Sequence, residues 1–411
     1  MNSEKQSTNL QMTLREVNRV GERQKNVPKI RFKGYEDAWE QRRLEEIFLK
    51  IRNAFVGTST PYYVEKNQGG HFYIESNNVK HGQINHDTEV FINEEFYQNQ
   101  KDKWLKTGDI VMVQSGHVGH SAVIPEYLNN SAAHALIMFQ EYLIETNPNF
   151  INFQFQTESV RNKIDSITTG NTIKHILASD MKLFSISNTQ KKEADKLGDF
   201  FISLDNLITL HQRKYDALKT MKKTLLSKMF PKDGEDVPEI RFKGFTDAWE
   251  QRKLGSAIIV RSGKDYKHLD EGDVPVYGTG GYMLSVSEAL ENTQDAIGIG
   301  RKGTIDKPFV LKAPFWTVDT LFYCIPKGNN SLGFLYPLFQ SINWKLYDES
   351  TGVPSLSKTA IEGVTINLTS KVEQYSIGEY FESVDNLITL HQRKLDELKN
   401  MKKTLLQQMF V

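Results

Sequence analysis

The stretch DNLITLHQRKYDALKTMKKTLLSKMF (residues 205–230) decides the fold, because it returns as DNLITLHQRKLDELKNMKKTLLQQMF (residues 385–410). The copies are identical at 21 of 26 positions and lie 180 residues apart. Apolar residues recur in both at alternating steps of four and three, the heptad spacing of a coiled coil. Neither copy has an internal proline or glycine, and Pro231 follows the first copy. Each copy is therefore predicted to be a helix of about seven turns, close to ~40 Å long.

The heptad positions form a narrow apolar seam, interrupted by one lysine in each copy, Lys222 and Lys402. A long helix with such a seam is only marginally stable alone and needs a partner helix. The most similar helix in the chain is its own second copy. The alternative is that each helix packs on its own domain, but this does not explain why the charged faces HQRK and MKK are duplicated as well. The predicted seam consists of Ile208, His211, Tyr215, Leu218 and Leu225 in the first copy and Ile388, His391, Leu395, Leu398 and Leu405 in the second.

A second repeat divides the chain into two tandem halves. PKIRFKGYEDAWEQRR (28–43) recurs as PEIRFKGFTDAWEQRK (238–253), identical at 12 of 16 positions, and its tryptophans, Trp39 and Trp249, are expected to anchor in the cores. The interiors differ, and GDIVMVQSGHVGHSAVI of the first half has no obvious counterpart in the second. The predicted organisation is a flexible leader (1–27), a first domain (28–197), a first long helix (198–230), a linker (231–237), a second domain (238–377) and a second long helix (378–411).

Composition is typical of a soluble, globular chain. Of its 411 residues 39% are hydrophobic, and 51 basic residues balance 51 acidic ones, so any nucleic-acid surface must be local. The single cysteine, Cys324, excludes a disulfide framework and is expected to be a buried thiol. No apolar run is long enough to cross a bilayer, and the polar start lacks a secretory signal, which favours the cytoplasm.

The two repeats together resemble the specificity subunit of a type I restriction-modification enzyme. The resemblance rests on two variable inserts, each opened by a P-x-IRFKGF…WEQRKL motif and closed by LITLHQRK…LKxMKKTLLxxMF, and it covers about residues 28–410. It implies a mixed α/β or α+β fold with two target recognition domains. Between these domains the long helices form an antiparallel coiled coil in a pseudo-two-fold tandem repeat.

The resemblance also implies partners and chemistry. Each recognition domain would read one half of a split, asymmetric site on double-stranded DNA, while the helices set the spacing and dock the modification (methyltransferase) subunits, two of them. Restriction/translocase subunits would join the complex. S-adenosylmethionine, ATP and Mg would be used by those partners, and this chain would hold no cofactor of its own.

Basic and glycine-rich turns in the second half are the candidates for DNA contacts. RSGKDYK, YGTGGY, IGRKGT and TGVPSLSK lie between strand-like segments, where glycine admits a phosphate and Arg or Lys reaches phosphate or guanine. GIGRKG matches G-x-G-x-x-G, but TIDKPFVLKAPFW after it does not predict the helix that a dinucleotide loop needs. The candidate residues are Lys264, Tyr266, Lys267, Tyr277, Thr279, Arg301, Lys302, Thr304, Ser355 and Lys358.

In the first half the corresponding stretches are VQSGHVGHS and TTGNTIKH, the latter similar to TGVPSLSK in position and type. Their donors and acceptors suit base edges, although each residue could equally serve turn chemistry. Two histidines three residues apart, without acidic or cysteine partners, do not predict a metal site. The candidates are Gln114, Ser115, His117, His120, Thr169, Asn171 and Lys174.

Catalytic motifs are not found, since the chain has no P-loop, no H-E-x-x-H, no nucleophile elbow and no amide-Pro-Pro-aromatic motif. The chain alone is therefore expected to be catalytically inert. Two other readings stay open from the residues: an enzyme with an unrecognised motif, and a coiled-coil scaffold whose inserts bind protein rather than DNA.

Overall fold

The computed structural model describes residues 17–19, 26–170 and 172–411. The chain divides into two compact units, unit 1 (Met1–His211 with Lys394–Val411) and unit 2 (Gln212–Arg393). The division falls inside both long helices, so each unit contains part of each helix. Each half of the chain thus contributes a helix end to the other half's unit.

Unit 1 combines short helices with small sheets. Its helices are α1 (Glu94–Gln98), α2 (Pro148–Gln154), α3 (Glu158–Ile167), α4 (Ala178–Leu183) and the start of α5 (Lys191–Lys228). Its strands are β1 (Val17–Arg19), β2 (Ile30–Phe32), β3 (Glu40–Arg43), β4 (Phe48–Asn53), β5 (Tyr63–Val64), β6 (His71–Ile74), β7 (Val79–Lys80), β8 (Gln83–Ile84), β9 (Phe91–Ile92), β10 (Ile110–Val113), β11 (Ser121–Val123), β12 (Ala132–Ala133), β13 (Leu136–Tyr142) and β14 (Ser185–Asn188).

Unit 2 is built in the same manner from fewer residues. Its helices are α6 (Leu332–Ser341), α7 (Lys358–Gly363) and the start of α8 (Lys371–Met409), with a 3₁₀ turn at Trp344–Tyr347. Its strands are β15 (Glu250–Lys253), β16 (Ile258–Ser262), β17 (Glu271–Gly278), β18 (Gly281–Val286), β19 (Ala296–Gly300), β20 (Phe309–Leu311), β21 (Trp316–Thr317), β22 (Leu321–Pro326) and β23 (Thr365–Leu368).

Both units contain a four-stranded antiparallel sheet with the same connectivity, ordered β11-β10-β13-β4 in unit 1 and β20-β19-β22-β16 in unit 2. Strand β10 therefore corresponds to β19. GDIVMVQSGHVGHSAVI, which has no obvious counterpart in sequence, thus has a counterpart in strand order. The two hairpins share a strand order and an apolar pattern of burial rather than identical residues, so sequence identity cannot detect them.

The long helices are longer than predicted. They contain 38 and 39 residues, which corresponds to about 57 Å at 1.5 Å per residue. Both begin 14 residues before the long repeats, at Lys191 and Lys371. The repeats cover only the identical part of each helix, and the first turns differ in sequence because they pack on different domains.

Within each unit the two helices run antiparallel. In unit 1 Phe201 contacts Phe410, with ring centroids 5.5 Å apart, and Asp205 Oδ1 lies 2.7 Å from Lys402 Nζ, so positions ascend on one helix as they descend on the other. Unit 2 repeats this with Phe381 and Phe230 at 6.1 Å and with Asp385 Oδ1 and Lys222 Nζ at 2.6 Å. The predicted antiparallel pairing is confirmed.

The predicted seam residues all lie on the covered side of their helices. Leu395, Leu398 and Leu405 are buried, and Lys222 and Lys402 are half-buried because each forms an ion pair across the seam. The remaining predicted seam residues are half-buried: Ile208, His211, Tyr215, Leu218, Leu225, Ile388 and His391.

The C-terminal phenylalanine of each long repeat closes the core of a unit. Phe410 lies 6.1 Å from Trp39 and 5.7 Å from Phe150 between ring centroids. In unit 2 Phe230 lies 6.0 Å from Trp249. Both tryptophans are buried, as predicted, and aromatic pairs of this kind add to the apolar area that they remove from water. Cys324 is also buried, and burial raises the pKa of its thiol.

Candidate nucleic-acid interface

Loop 1 (residues 114–120) joins β10 to β11 in unit 1 and contains four of the predicted contact residues. It is held by the segment 174–176: Ile176 N donates to Gln114 O at 2.9 Å, and Gly116 N donates to Lys174 O at 3.2 Å. Gly116 has φ +79°, which glycine adopts without strain. The structure therefore brings together the two stretches, VQSGHVGHS and TTGNTIKH, that the sequence singled out separately.

Loop 2 (residues 301–308) joins β19 to β20 in unit 2 and repeats this construction. Leu356 N donates to Arg301 O at 2.9 Å, and Gly303 N donates to Pro354 O at 2.8 Å. Gly303 also has a positive φ, +89°. These hydrogen bonds make Arg301 structurally equivalent to Gln114 of unit 1. Lys302 is likewise equivalent to Ser115. One backbone arrangement thus presents different side chains in the two units.

Other predicted loops of unit 2 meet at the segment 317–321. Arg301 N and Lys302 N both donate to Thr320 O, at 2.8 and 3.3 Å. Lys264 N donates to Thr317 O at 2.8 Å, and Val318 N donates to Tyr277 O at 3.0 Å. A Cβ built on Gly303 would lie 3.8 Å from Thr279 Oγ1. Three of the predicted basic or glycine-rich turns are therefore joined by hydrogen bonds through this one segment.

Several predicted residues have structural partners. Tyr266 packs against an apolar cluster with Trp316, and Thr304 is half-buried beside the turn of loop 2. Lys358 begins α7 and lies 3.7 Å from Glu362 one turn later, while Thr169 N donates to His175 O at 2.9 Å. Lys267 is exposed and Ser355 is half-buried. The remaining candidate, Asn171, lies outside the described residues.

The two histidines of loop 1 lie side by side, with ring centroids 5.5 Å apart. Burial is the main cause that lowers the pKa of His120, and Arg161, His117 and His81 lower it further. His120 Nδ1 is buried and has no hydrogen-bond partner among the described residues. No group of three or more His, Cys, Asp or Glu in residues 26–170 and 172–411 is placed to hold a metal ion.

The G-x-G-x-x-G match is part of a hairpin. Gly298 and Gly300 lie in β19, and the next regular element is the strand β20, so no helix directs its N-terminus at this loop. A Cβ on Gly300 would lie 2.2 Å from Thr304 O, which explains the glycine by close backbone approach. This geometry agrees with the expectation that the match is not a dinucleotide loop.

The comparisons with known proteins give the family. The family described as "Type I restriction modification DNA specificity domain" matches residues 36–220 and again residues 246–400, which together are most of the chain. The chain belongs to this family. Its two matched regions coincide with the two halves set out by the repeats, and the resemblance drawn from those repeats is confirmed.

Individual relatives of this specificity-domain protein are distant. The type I restriction enzyme MjaVIII specificity subunit of Methanocaldococcus jannaschii is 21% identical over 286 residues, which cover 59% of this chain and 65% of the relative. The crystal structure of the S subunit of a type I restriction-modification system from M. genitalium is 17% identical. It matches with a TM-score of 0.69 over 94% of this chain and 99% of its own, which supports the fold.

Three features of the specificity domains were not predicted from the sequence. Arg161 on α3 lies beside loop 1, and the segment 317–321 joins the loops of unit 2, but neither stands in a motif. Phe230 and Phe410 end the long repeats, and their identical MF endings were the available signal.

Among the described residues, no helix combines the length and apolar character needed to cross a membrane.

Proposed function

We propose that this chain is the DNA sequence-specificity subunit of a type I restriction-modification complex, and that each unit reads one half of a bipartite, asymmetric target. The observation that carries the proposal is the shared position of loop 1 and loop 2 within two copies of a DNA specificity domain. A reading surface needs one framework and variable side chains, and these loops have both.

The side chains of the two loops favour different half-sites. Gln114 and Arg301 occupy equivalent positions, and glutamine pairs well with adenine whereas arginine pairs well with guanine. Ser115 and Lys302 form a second unlike pair. We assign the DNA contacts to Gln114, Ser115, His117, His120 and Lys174 in unit 1 and to Lys264, Thr279, Arg301, Lys302 and Ser355 in unit 2. Tyr266, Lys267, Tyr277, Thr304, Lys358, Thr169 and Asn171 remain weaker candidates.

The long helices are proposed to set the distance between half-sites and to dock two methyltransferase subunits. Arg213 and Lys223 are exposed, as are their copies Arg393 and Lys403, so an identical exposed surface is presented twice. A repeated surface suits two copies of one partner. Restriction/translocase subunits complete the complex. S-adenosylmethionine, ATP and Mg act in those partners, base flipping takes place there, and the assembly works in the cytoplasm on double-stranded DNA.

Mapping methylated adenines in host DNA, with and without this chain, tests the proposal. We expect two unlike half-sites at constant spacing that disappear when the chain is absent. The purified chain, incubated with DNA, Mg²⁺ and S-adenosylmethionine, should neither cleave nor methylate. Turnover by the chain alone, or a methylation pattern that does not depend on it, would refute the assignment.

The role of the helices has a separate test. Duplicating residues 223–226 (KTLL) adds about 6 Å of helix at 1.5 Å per residue, close to two base pairs at about 3.4 Å each. The unread spacer should lengthen while both half-sites keep their sequences. An active insertion variant that methylates sites of the original spacing would contradict the spacing role and leave the reading role intact.

A further inference from the structure

A cleft of about 260 Å³ opens beside loop 1 in unit 1. Three separate parts of the chain line it: the loop with His117 and His120, helix α3 with Arg161 and Asp165, and Lys174 from the segment that pairs with the loop. Loop and helix fit closely, because a Cβ on Gly119 would lie 3.2 Å from Ile164 Cγ2. Loop 1 is therefore seated on α3, and this helix forms one wall of the cleft.

The polar groups of the cleft are mainly hydrogen-bond donors. Arg161 and Lys174 can only donate, and Asp165 is the one carboxylate, 3.6 Å from Lys174 Nζ. The guanidinium of Arg161 has no ion pair or hydrogen bond with another described residue. His120 Nδ1 is buried without a partner among the described residues. Because burial lowers the pKa of His120, its Nδ1 adds no positive charge, and the unused donors of the cleft are those of Arg161. Arg161 also gives the cleft its excess of positive charge.

We propose that this cleft holds one phosphate group of the DNA backbone and so sets the position of loop 1 on the duplex, an inference that rests on the proposed function. A phosphate offers only acceptor oxygens and a negative charge, which matches donor-only arginine and lysine. A base edge usually offers donors as well, and these would meet only the carboxylate that already faces Lys174. Contacts with phosphate fix register, while the other side chains of the loop remain available for bases.

Unit 2 obtains its positive charge differently. Between α6 and α7 it has the 3₁₀ turn Trp344–Tyr347 instead of a helix like α3, and the cation of that turn, Lys345, is paired with Asp306 of loop 2 at 3.1 Å. Its cations, Arg301 and Lys302, are in the loop itself and exposed. The cation behind loop 2 is thus already paired with a carboxylate, whereas Arg161 behind loop 1 is proposed to contact the phosphate directly.

Salt titrations of DNA binding test this inference. The full chain is titrated with a 40-base-pair duplex pool of random sequence, comparing the natural protein with Arg161→Gln and with the control Lys163→Gln. Lys163 is an exposed cation on the same helix that does not line the cleft, so both variants lose one charge from α3. We expect Arg161→Gln to weaken binding on the order of tenfold, as for a lost charged hydrogen bond. The slope of log K against log salt should become shallower by about 0.9, the value for one phosphate, while the control keeps its slope.

A third variant should strengthen DNA binding instead of weakening it. Asp165→Asn removes the carboxylate that competes for Lys174, and it should strengthen binding several-fold without loss of folding, because Asp165 is exposed. If Arg161→Gln and Lys163→Gln behave alike on a chain that still binds DNA, the phosphate site is refuted and the reading function stands. A loss seen with a duplex of the mapped target but not with the random pool would indicate a base contact instead. Failure of the natural chain to bind any duplex would overturn both proposals.

Discussion

Units 1 and 2 resemble each other closely in their frame, the buried contacts that hold the long helices, and much less in the side chains of loops 1 and 2. Arg31 Nε lies 2.6 Å from Glu193 Oε1 in unit 1, and Arg241 Nε lies 2.6 Å from Glu373 Oε1 in unit 2. Both glutamates are fully buried near the start of a long helix. At loops 1 and 2, by contrast, the backbone pairing is kept while the side chains change. The buried Arg–Glu ion pair has been retained in both copies, and the side chains of these two loops have diverged.

This difference follows from how much a substitution lowers the stability of the protein at each kind of position. A buried ion pair that loses one partner leaves a charge without compensation, whereas an exposed loop side chain changes stability by less than about 0.5 kcal/mol. Under the proposed function, a change of DNA target would therefore arise in the loops without disturbing the frame that holds the helices. The frame of each unit includes a helix end from the other half, which couples the two halves of the chain.

The largest expected effect comes from breaking the frame at Glu193→Gln. Glu193 accepts from Arg31, from Thr189 and, at 3.0 Å, from Trp39 Nε1. The amide leaves a buried guanidinium without its counter-charge, so the free energy of unfolding should fall by about 3–5 kcal/mol. Urea unfolding followed by circular dichroism measures it.

Glu373→Gln is the matched change in unit 2 and should cost less. Trp249 Nε1 has no hydrogen-bond partner among the described residues, so Glu373 lacks the contact with tryptophan that Glu193 has. Equal losses for the two variants would show that this contact adds nothing to the frame.

Next in size is the ion pair of the seam. Lys402→Met leaves Asp205 buried and unpaired and should lower the free energy of unfolding by about 3 kcal/mol, near the lower end for a broken buried pair. Lys222→Met should cost less, because its partner Asp385 is 32% exposed whereas Asp205 is 9% exposed. Adding Asp205→Leu to Lys402→Met should restore most of the loss. A double variant no more stable than the single one would exclude uncompensated charge as the cause.

A smaller effect concerns pH. Burial raises the pKa of Asp205, although Lys402 opposes this. A pKa higher in the folded chain than in the unfolded one gives stability that is present at low pH and is lost as pH rises through the folded pKa. Relative to Asp205→Asn, the natural chain should therefore lose free energy of unfolding as pH rises from about 3 toward neutral. Parallel pH profiles for the two proteins would contradict the sign.

The smallest effect on stability should come from exchanging loop side chains. Gln114→Arg with Ser115→Lys gives loop 1 the side chains that loop 2 presents at the same backbone positions. Unfolding should change by less than about 0.5 kcal/mol, while methylation mapping should show a changed first half-site and an unchanged second one. A change in the second half-site would mean that the loops are not assigned to the correct halves of the target.

Much of the frame could be predicted from the sequence. The heptad spacing identified the seam, and the duplicated charged face indicated a twin as partner, because both patterns are local and regular. The starts of α5 and α8 were missed since their first turns differ between copies. The correspondence of β10 with β19 was also missed, because strands that share only a pattern of burial show little sequence identity.

The sequence alone determined that this chain has two halves and two long helices with matching apolar seams, because repetition and heptad periodicity are properties of the chain itself. The antiparallel direction was expected from the family resemblance. Only the tertiary structure decided which turns meet. It placed 114–116 against 174–176 and 301–303 against 354–356, and it put Arg161 beside two histidines some 40 residues away in sequence. Such groupings depend on sheet order and on the helix behind each loop, which no local spacing encodes.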